Sequence, residues 1–384
     1  MEYYNNYYEG IFWIPGKEES KIIATMFIDE NGDVTISSLQ SFTNNEGFDR
    51  DWAKIDLVLG YINCHNKSDT YSIKLYDIHK INQSNGALTK YKYKSFKSFI
   101  SSVYDNDISV SKFNSIMLSS TLINNWVPTT GFNFESDIDK TFKISHLYEK
   151  PETIDLFKNK NFEIYLFFRA SAGFKSRRNS YIKEDVFINI ETIDSYEIDE
   201  LFRIKTTIER LLNILLFIPF YSTNIQIKTT SKTTYQSLKK KNKLNTSLSN
   251  KIDFEIFKVN SQNIFSKWFE KQNDLELAII NFFSVYGQKG VLIENKFLTY
   301  ISVLENYHKN NIKKKAFLKD RLIYLFENSI INTKIKDLDN YAEILKTTRN
   351  YHSHLDENHK EKSLKTDGII KANLVLEFVI RELF

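Results

Sequence analysis

At 384 residues the chain is longer than one average domain and leaves room for two or three units, each with its own core. Hydrophobic residues make up 42%, with 30 Phe and 22 Tyr, which excludes a disordered chain; the longest strongly apolar stretch, 211–220, carries Asn213 and Pro219 and is too short to cross a bilayer. A net charge of +4 gives only weak overall attraction to nucleic acid, and the single Cys64 excludes an internal disulfide and a cysteine-based metal cage. The first residues lack the basic start and apolar run of a signal peptide, so the cytoplasm is the default expectation.

From about residue 9 to 193 the chain reads as strands. The runs 21–28 and 34–39 flank Asn31-Gly32, the strongest short hairpin signal, and further strand-like runs cover 55–59, 70–75, 113–118, 162–168 and 181–190. This spacing predicts a twisted sandwich or barrel-like sheet. The segments 10–16 and 125–132 each join an indole, Trp13 or Trp126, to Pro and Gly. Such a segment fixes a turn while the indole covers a sheet end; the functional alternative is a stacking platform for a base or sugar. His65, His79 and His146 stand singly, without metal-ligand spacing.

After about residue 194 the period lengthens. Ile204, Ile208, Leu211, Leu212 and Leu215 define a helix face that Pro219 ends; a strand at 224–228 follows, and 229–250, rich in Lys, Ser, Thr and Asn, reads as a mobile surface insertion. From 262 the pattern predicts a bundle of helices at 263–271, 275–286, 294–310, 314–328, 336–350 and 366–384. In the third, Phe297, Ile301, Leu304 and His308 keep one seam with Glu305 beside it; in the last, Ile370, Leu374 and Phe378 continue the pattern, and Ile369, Leu376, Ile380 and Leu383 widen it. The expected chain is α+β: a β-rich domain 1–195, a bridging helix, short strand and basic loop over 196–261, and an all-α bundle 262–384.

The late segment Arg349-Asn350-Tyr351-His352-Ser353-His354 carries the chemistry. A seam through Ile335, Leu338, Ala342 and Leu345 next reaches Arg349, where a leucine would be expected. A structural ion pair or a helix end explains this, as does a phosphate site in which Arg349 clamps the anion and His354 carries the proton. On a straight helix five residues turn through about 140°, so a cooperating pair needs a break near Tyr351 or two subunits. Asn350, Ser353, Asp356 and Asn358 favour such a break. No carboxylate pair with metal spacing accompanies the segment, whereas attack by a ribose 2′-hydroxyl needs only a proton carrier and a charge clamp. Lys239, Lys240 and Lys241, with Lys313, Lys314 and Lys315, could follow a phosphate backbone or simply form solvated faces.

These residues resemble the Arg-x4-6-His motif of HEPN nucleases, including the Asn after the Arg. With 296–300, 304–308, 319–322 and the Trp-Pro-Gly patterns, the chain is similar to the ApeA-like group of bacterial anti-phage proteins, which carry a β-rich domain before a C-terminal HEPN bundle. The resemblance implies a metal-independent endoribonuclease of abortive infection, without cofactor, acting on RNA and in this group on tRNA. It also implies a homodimer through the HEPN domain and a phage-encoded trigger protein, with no membrane partner. Arg349 and His354 become the catalytic pair and Asn350 their polar support. His352 is too close to Arg349 for the family spacing yet could join the site, and Glu305 and His308 are supporting candidates. The alternative is a HEPN module that binds RNA, a nucleotide or a phage protein without cleavage; a third reading makes the β-rich domain a sensor and the HEPN half a dimerisation platform.

Overall fold

The computed structural model describes residues 3–42, 54–64, 69–85, 88–109, 112–137, 143–176, 179–238, 251–288, 290–354 and 357–383. The chain forms two compact units, Met1–Lys205 with Tyr221–Asn245, and Thr206–Phe220 with Thr246–Phe384.

In the first unit, β1 (Asn6–Trp13), β2 (Ile22–Ile28), β3 (Val34–Ser38), β4 (Lys54–Cys64), β5 (Thr70–Asn85) and β6 (Thr89–Ser101) pair antiparallel in the order β6-β3-β2-β1-β4-β5. β5 pairs again with β6, which closes a six-stranded barrel. Period-two alternation selects its interior: Ile22, Ala24, Met26 and Ile28 of β2 and Val34 and Ile36 of β3 are buried with Tyr8, Phe12, Val58 and Ile73, while Ile23 is exposed. The expected hairpin between β2 and β3 is set by Asp29, whose Oδ1 accepts from the N–H groups of Asn31 (2.9 Å) and Asp33 (2.8 Å). Gly32 there takes a φ of +80°, which a side chain would resist.

The chain continues through β7 (Phe113–Ser119), α1 (Thr121–Trp126), β8 (Phe132–Asp137), β9 (Lys143–Tyr148), β10 (Ile154–Lys158), β11 (Phe162–Ser176), β12 (Asn179–Tyr196), α2 (Ile198–Leu216), β13 (Asn224–Thr229) and β14 (Thr234–Ser237). β8 and β9 pair as a separate two-stranded sheet. The others extend the barrel as an open sheet ordered β14-β13-β7-β12-β11-β10. It starts where Ile100 and Phe99, beyond the part of β6 that pairs with β3, take Gln236 and Ser237 as partners. Trp13 packs with Leu59 and Ile108, and both it and Trp126 are buried, so neither indole offers a stacking platform.

Two expectations change here. The segment expected as a mobile insertion instead contains the end of β13 and all of β14, with Thr229, Tyr235 and Leu238 fully buried; Tyr235 donates its hydroxyl to Asp105 at 2.6 Å. Lys239, Lys240 and Lys241 lie outside the described residues. Nor does 196–261 stand apart as a bridge: β13 and β14 belong to the first unit's sheet, and the division between units falls within α2.

The second unit holds α3 (Phe254–Val285), α4 (Ile293–Asn311), α5 (Leu318–Glu327), α6 (Leu338–His354) and α7 (Thr366–Leu383). α3 is one 32-residue helix where two were expected. It starts at an Asp253 cap whose carboxylate accepts from Glu255 and Ile256 N–H, and no Pro or Gly interrupts it, so the polar run 272–274 is only an outward face. In α7 the buried face is Ile369, Ala372, Asn373, Leu376, Val379 and Ile380. Of the residues expected on the seam, Ile369, Leu376 and Ile380 lie on this face, whereas Ile370, Leu374 and Phe378 point outward, 45%, 65% and 39% exposed. Apolar residues on both sides of α7 left two possible faces, and small Ala372 allows close packing on one. Beside it, Asn373 donates to the Ile293 carbonyl at 3.0 Å, tying that face to the start of α4.

Candidate functional site

α6 begins at Asp337, whose Oδ1 accepts from the Asn340 N–H at 3.0 Å, and Lys319 of α5 anchors its first turn through Asp339 at 2.8 Å. Its core residues are Ala342, Leu345 and Thr348, each without solvent exposure. Thr348 takes the position assigned to Arg349, because Ile335 lies before α6, at the end of a 3-10 turn (Ile330–Lys334), and the seam count starts at Leu338. The Thr348 hydroxyl donates to the Ile344 carbonyl at 2.7 Å and accepts the Leu364 N–H at 2.9 Å, tying the chain before α7 to the site helix.

Arg349 therefore flanks the buried seam, half-buried. Its Nη1 donates to Asn350 Oδ1 at 3.3 Å, and it has no carboxylate partner among the described residues. The side chain of His352 is half-buried; its ring meets Tyr351 edge-on with centroids 4.9 Å apart, and Nε2 is enclosed without a hydrogen-bond partner among the described residues. His354 is exposed and ends the helix. The break expected near Tyr351 is absent: Asn350 engages Arg349 rather than its own backbone, and helix-interior penalties for Asn and Ser are only tenths of a kcal/mol, about 0.5. At about 100° per residue, Arg349 and His352 lie within about 60° of each other, Asn350 and His354 within about 40°, and Arg349 and His354 about 140° apart. Leu355 and Asp356 lie outside the described residues.

The supporting candidates on α4 do not join this group. His308 is 3% exposed, packs edge-on against Tyr324 at 5.2 Å, and leaves Nδ1 without a partner among the described residues. Burial, then the Arg321 guanidinium, holds its imidazole below the usual histidine value. Glu305 is half-buried, and its backbone carbonyl accepts from Arg321. Among the described residues neither bonds to Arg349, Asn350, His352 or His354. Lys313, Lys314 and Lys315 are exposed between α4 and α5. Arg321, which entered the sequence reading only as part of the stretch 319–322 and without a role, shapes that connection. Buried on α5, it donates to the carbonyls of Ala316 (3.1 Å), Glu305 (3.3 Å) and Lys314 (3.0 Å). A charged residue beside Leu322 and one turn before Leu325 was the available signal.

The family model for ApeA N-terminal domain 1 matches residues 8–271, and that for Apea-like HEPN matches residues 294–384. The chain belongs to the ApeA-like HEPN family. Searches of curated proteins and of solved structures gave no match. In this ApeA-like chain the first match takes in the barrel, the open sheet, α2 and the first part of α3; the HEPN match takes in α4 to α7 and so every described candidate site residue. The family is one of ribonuclease-type anti-phage effectors. Among the described residues, no three His, Cys, Asp or Glu side chains cluster as metal ligands do, and no helix is long and apolar enough to cross a membrane.

Proposed function

We propose that the chain is an endoribonuclease effector of bacterial abortive infection that cleaves tRNA in the cytoplasm without a metal ion. One observation carries the reading: Arg349 is half-buried at the end of α6, without a carboxylate partner among the described residues, and an exposed imidazole follows on the same helix. A phosphate suits that vacant fork, since a guanidinium binds two of its oxygens at once.

In the reaction the ribose 2′-oxygen forms a bond to phosphorus and the bond to the 5′-oxygen breaks, leaving a cyclic phosphate and a 5′-hydroxyl. Arg349 holds the phosphate and stabilises the charge that builds on its oxygens. His354 moves the proton, and Asn350 orients the guanidinium through its side-chain oxygen. DNA lacks the attacking group. The angle of about 140° between Arg349 and His354 calls for a homodimer in which one chain supplies the clamp and the other the proton carrier. Lys313, Lys314 and Lys315 guide the RNA backbone, and the β-rich unit senses a phage-encoded trigger.

Incubated with a tRNA fraction in chelator, the parent should yield fragments ending in cyclic phosphate. Arg349→Ala and His354→Ala should each cut at least about 100-fold more slowly. Equal cutting by both variants removes these residues from the site. The same angle favours a second reading, a HEPN module that binds RNA, a nucleotide or a phage protein without cleaving. Stable RNA retention with no fragments, with phage lysate present as well as without it, selects that reading.

A further inference from the structure

A cavity of about 630 Å³ lies within the second unit, away from the α6 motif. Its walls come from Leu211, Ile214 and Leu215 of α2, from Ile264, Trp268 and Leu275 of α3, and from Ile252 and Leu383. The volume falls within the roughly 300–1,000 Å³ typical of small-molecule sites. The side chains of this wall offer no free hydrogen-bonding group: the Trp268 Nε1–H is committed to the Thr207 carbonyl at 2.9 Å. Three lysines complete the lining, Lys251, Lys267 and Lys271. All three residues are exposed, and none has a carboxylate partner among the described residues. Lys267 and Lys271 stand four apart on α3, a like-charge spacing that costs a few tenths of a kcal/mol, about 0.3, and that a bound anion relieves.

We infer that this cavity binds a linear amphiphilic anion, an acyl chain whose carboxylate or phosphate head lies among Lys251, Lys267 and Lys271. A nucleobase is a poor fit, because its polar edge would meet aliphatic side chains and leave hydrogen bonds unmade. An alkyl chain loses nothing there and leaves water on entering. The head stays at the mouth, where the lysines keep their own contact with water.

Trp268 makes the test direct. The chain has four tryptophans, Trp13, Trp52, Trp126 and Trp268, and among the described residues Trp268 is the one that lines the cavity. The full chain is titrated with monomeric 9,10-dibromostearate, whose bromines quench an indole only on contact. Saturable quenching is expected, lost in Trp268→Phe, and weakened at least about tenfold in a Lys267→Glu, Lys271→Glu double variant, where two attractions become repulsions. Both lysines are exposed, so that variant keeps the fold, and its circular dichroism verifies this. Hexadecyl phosphate should compete and hexadecanol should not. Absence of quenching, quenching indifferent to the two charges, or equal competition by the neutral alcohol overturns the inference. So does binding to phosphatidylglycerol vesicles with none to the monomeric probe, which assigns the lysines to a lipid surface instead.

Discussion

Lys74 on β5 has no solvent exposure, yet its Nζ donates to the Ile108 carbonyl at 2.6 Å and lies 5.0 Å from the centre of the Tyr235 ring. Burial pulls its pKa down to about 8, against the charge of Asp105, which acts the other way. An unfolded lysine titrates near 10.4, so between about pH 8 and pH 10 the unfolded chain holds a proton that the folded chain has released. Lys74 by itself should therefore add stability as pH rises across that window, on the order of 3 kcal/mol in full. From about pH 9 the slope reverses, because burial raises the phenols of many tyrosines, Tyr76 and Tyr235 among them, and the unfolded chain loses those protons first. Urea midpoints measured from pH 7 to 9 should climb more for the parent than for Lys74→Met. A climb of equal size in both would place the titrating group elsewhere.

At the scale of elements, α7 shows which part of the pattern was legible. Its helical period was plain, but Ile370, Leu374 and Phe378 repeat every four residues as regularly as the face that is buried. Leu376→Ala should lower stability by about 2–5 kcal/mol, read as a fall in the urea midpoint. Leu374→Gln should stay within about 0.5 kcal/mol of the parent. The reverse order would mean that the outward stripe is the buried one. The same limit applies to α6. Arg349 and His354 could be read from their motif, and the turn of Asn31-Gly32 from its dipeptide, because both signals are local. The extent of α6 to His354, the unbroken α3 and the closure of β5 on β6 depend on residues far apart in sequence. β14 was hidden for the same reason: its short polar run becomes a strand only because β13 and the end of β6 supply partners on either side.

At the scale of the whole molecule, the continuous α6 turns the proposed chemistry into a question of how many chains build one site. If one chain supplied both groups, Arg349→Ala and His354→Ala chains would stay inactive however they were mixed. A site shared between two chains behaves differently. In a mixed dimer one site loses both groups and the other keeps Arg349 from one protomer and His354 from its partner. Random association makes half of the dimers mixed, and half of the sites in those are intact, so activity should return to about a quarter of the parent level. The variants are unfolded and refolded together in equal amounts, and cleavage of a tRNA fraction is compared with that of each variant refolded alone. Recovery should depend on protein concentration as a dimer requires. Mixed dimers isolated by two affinity tags but still inactive would show that Arg349 and His354 do not meet across the interface.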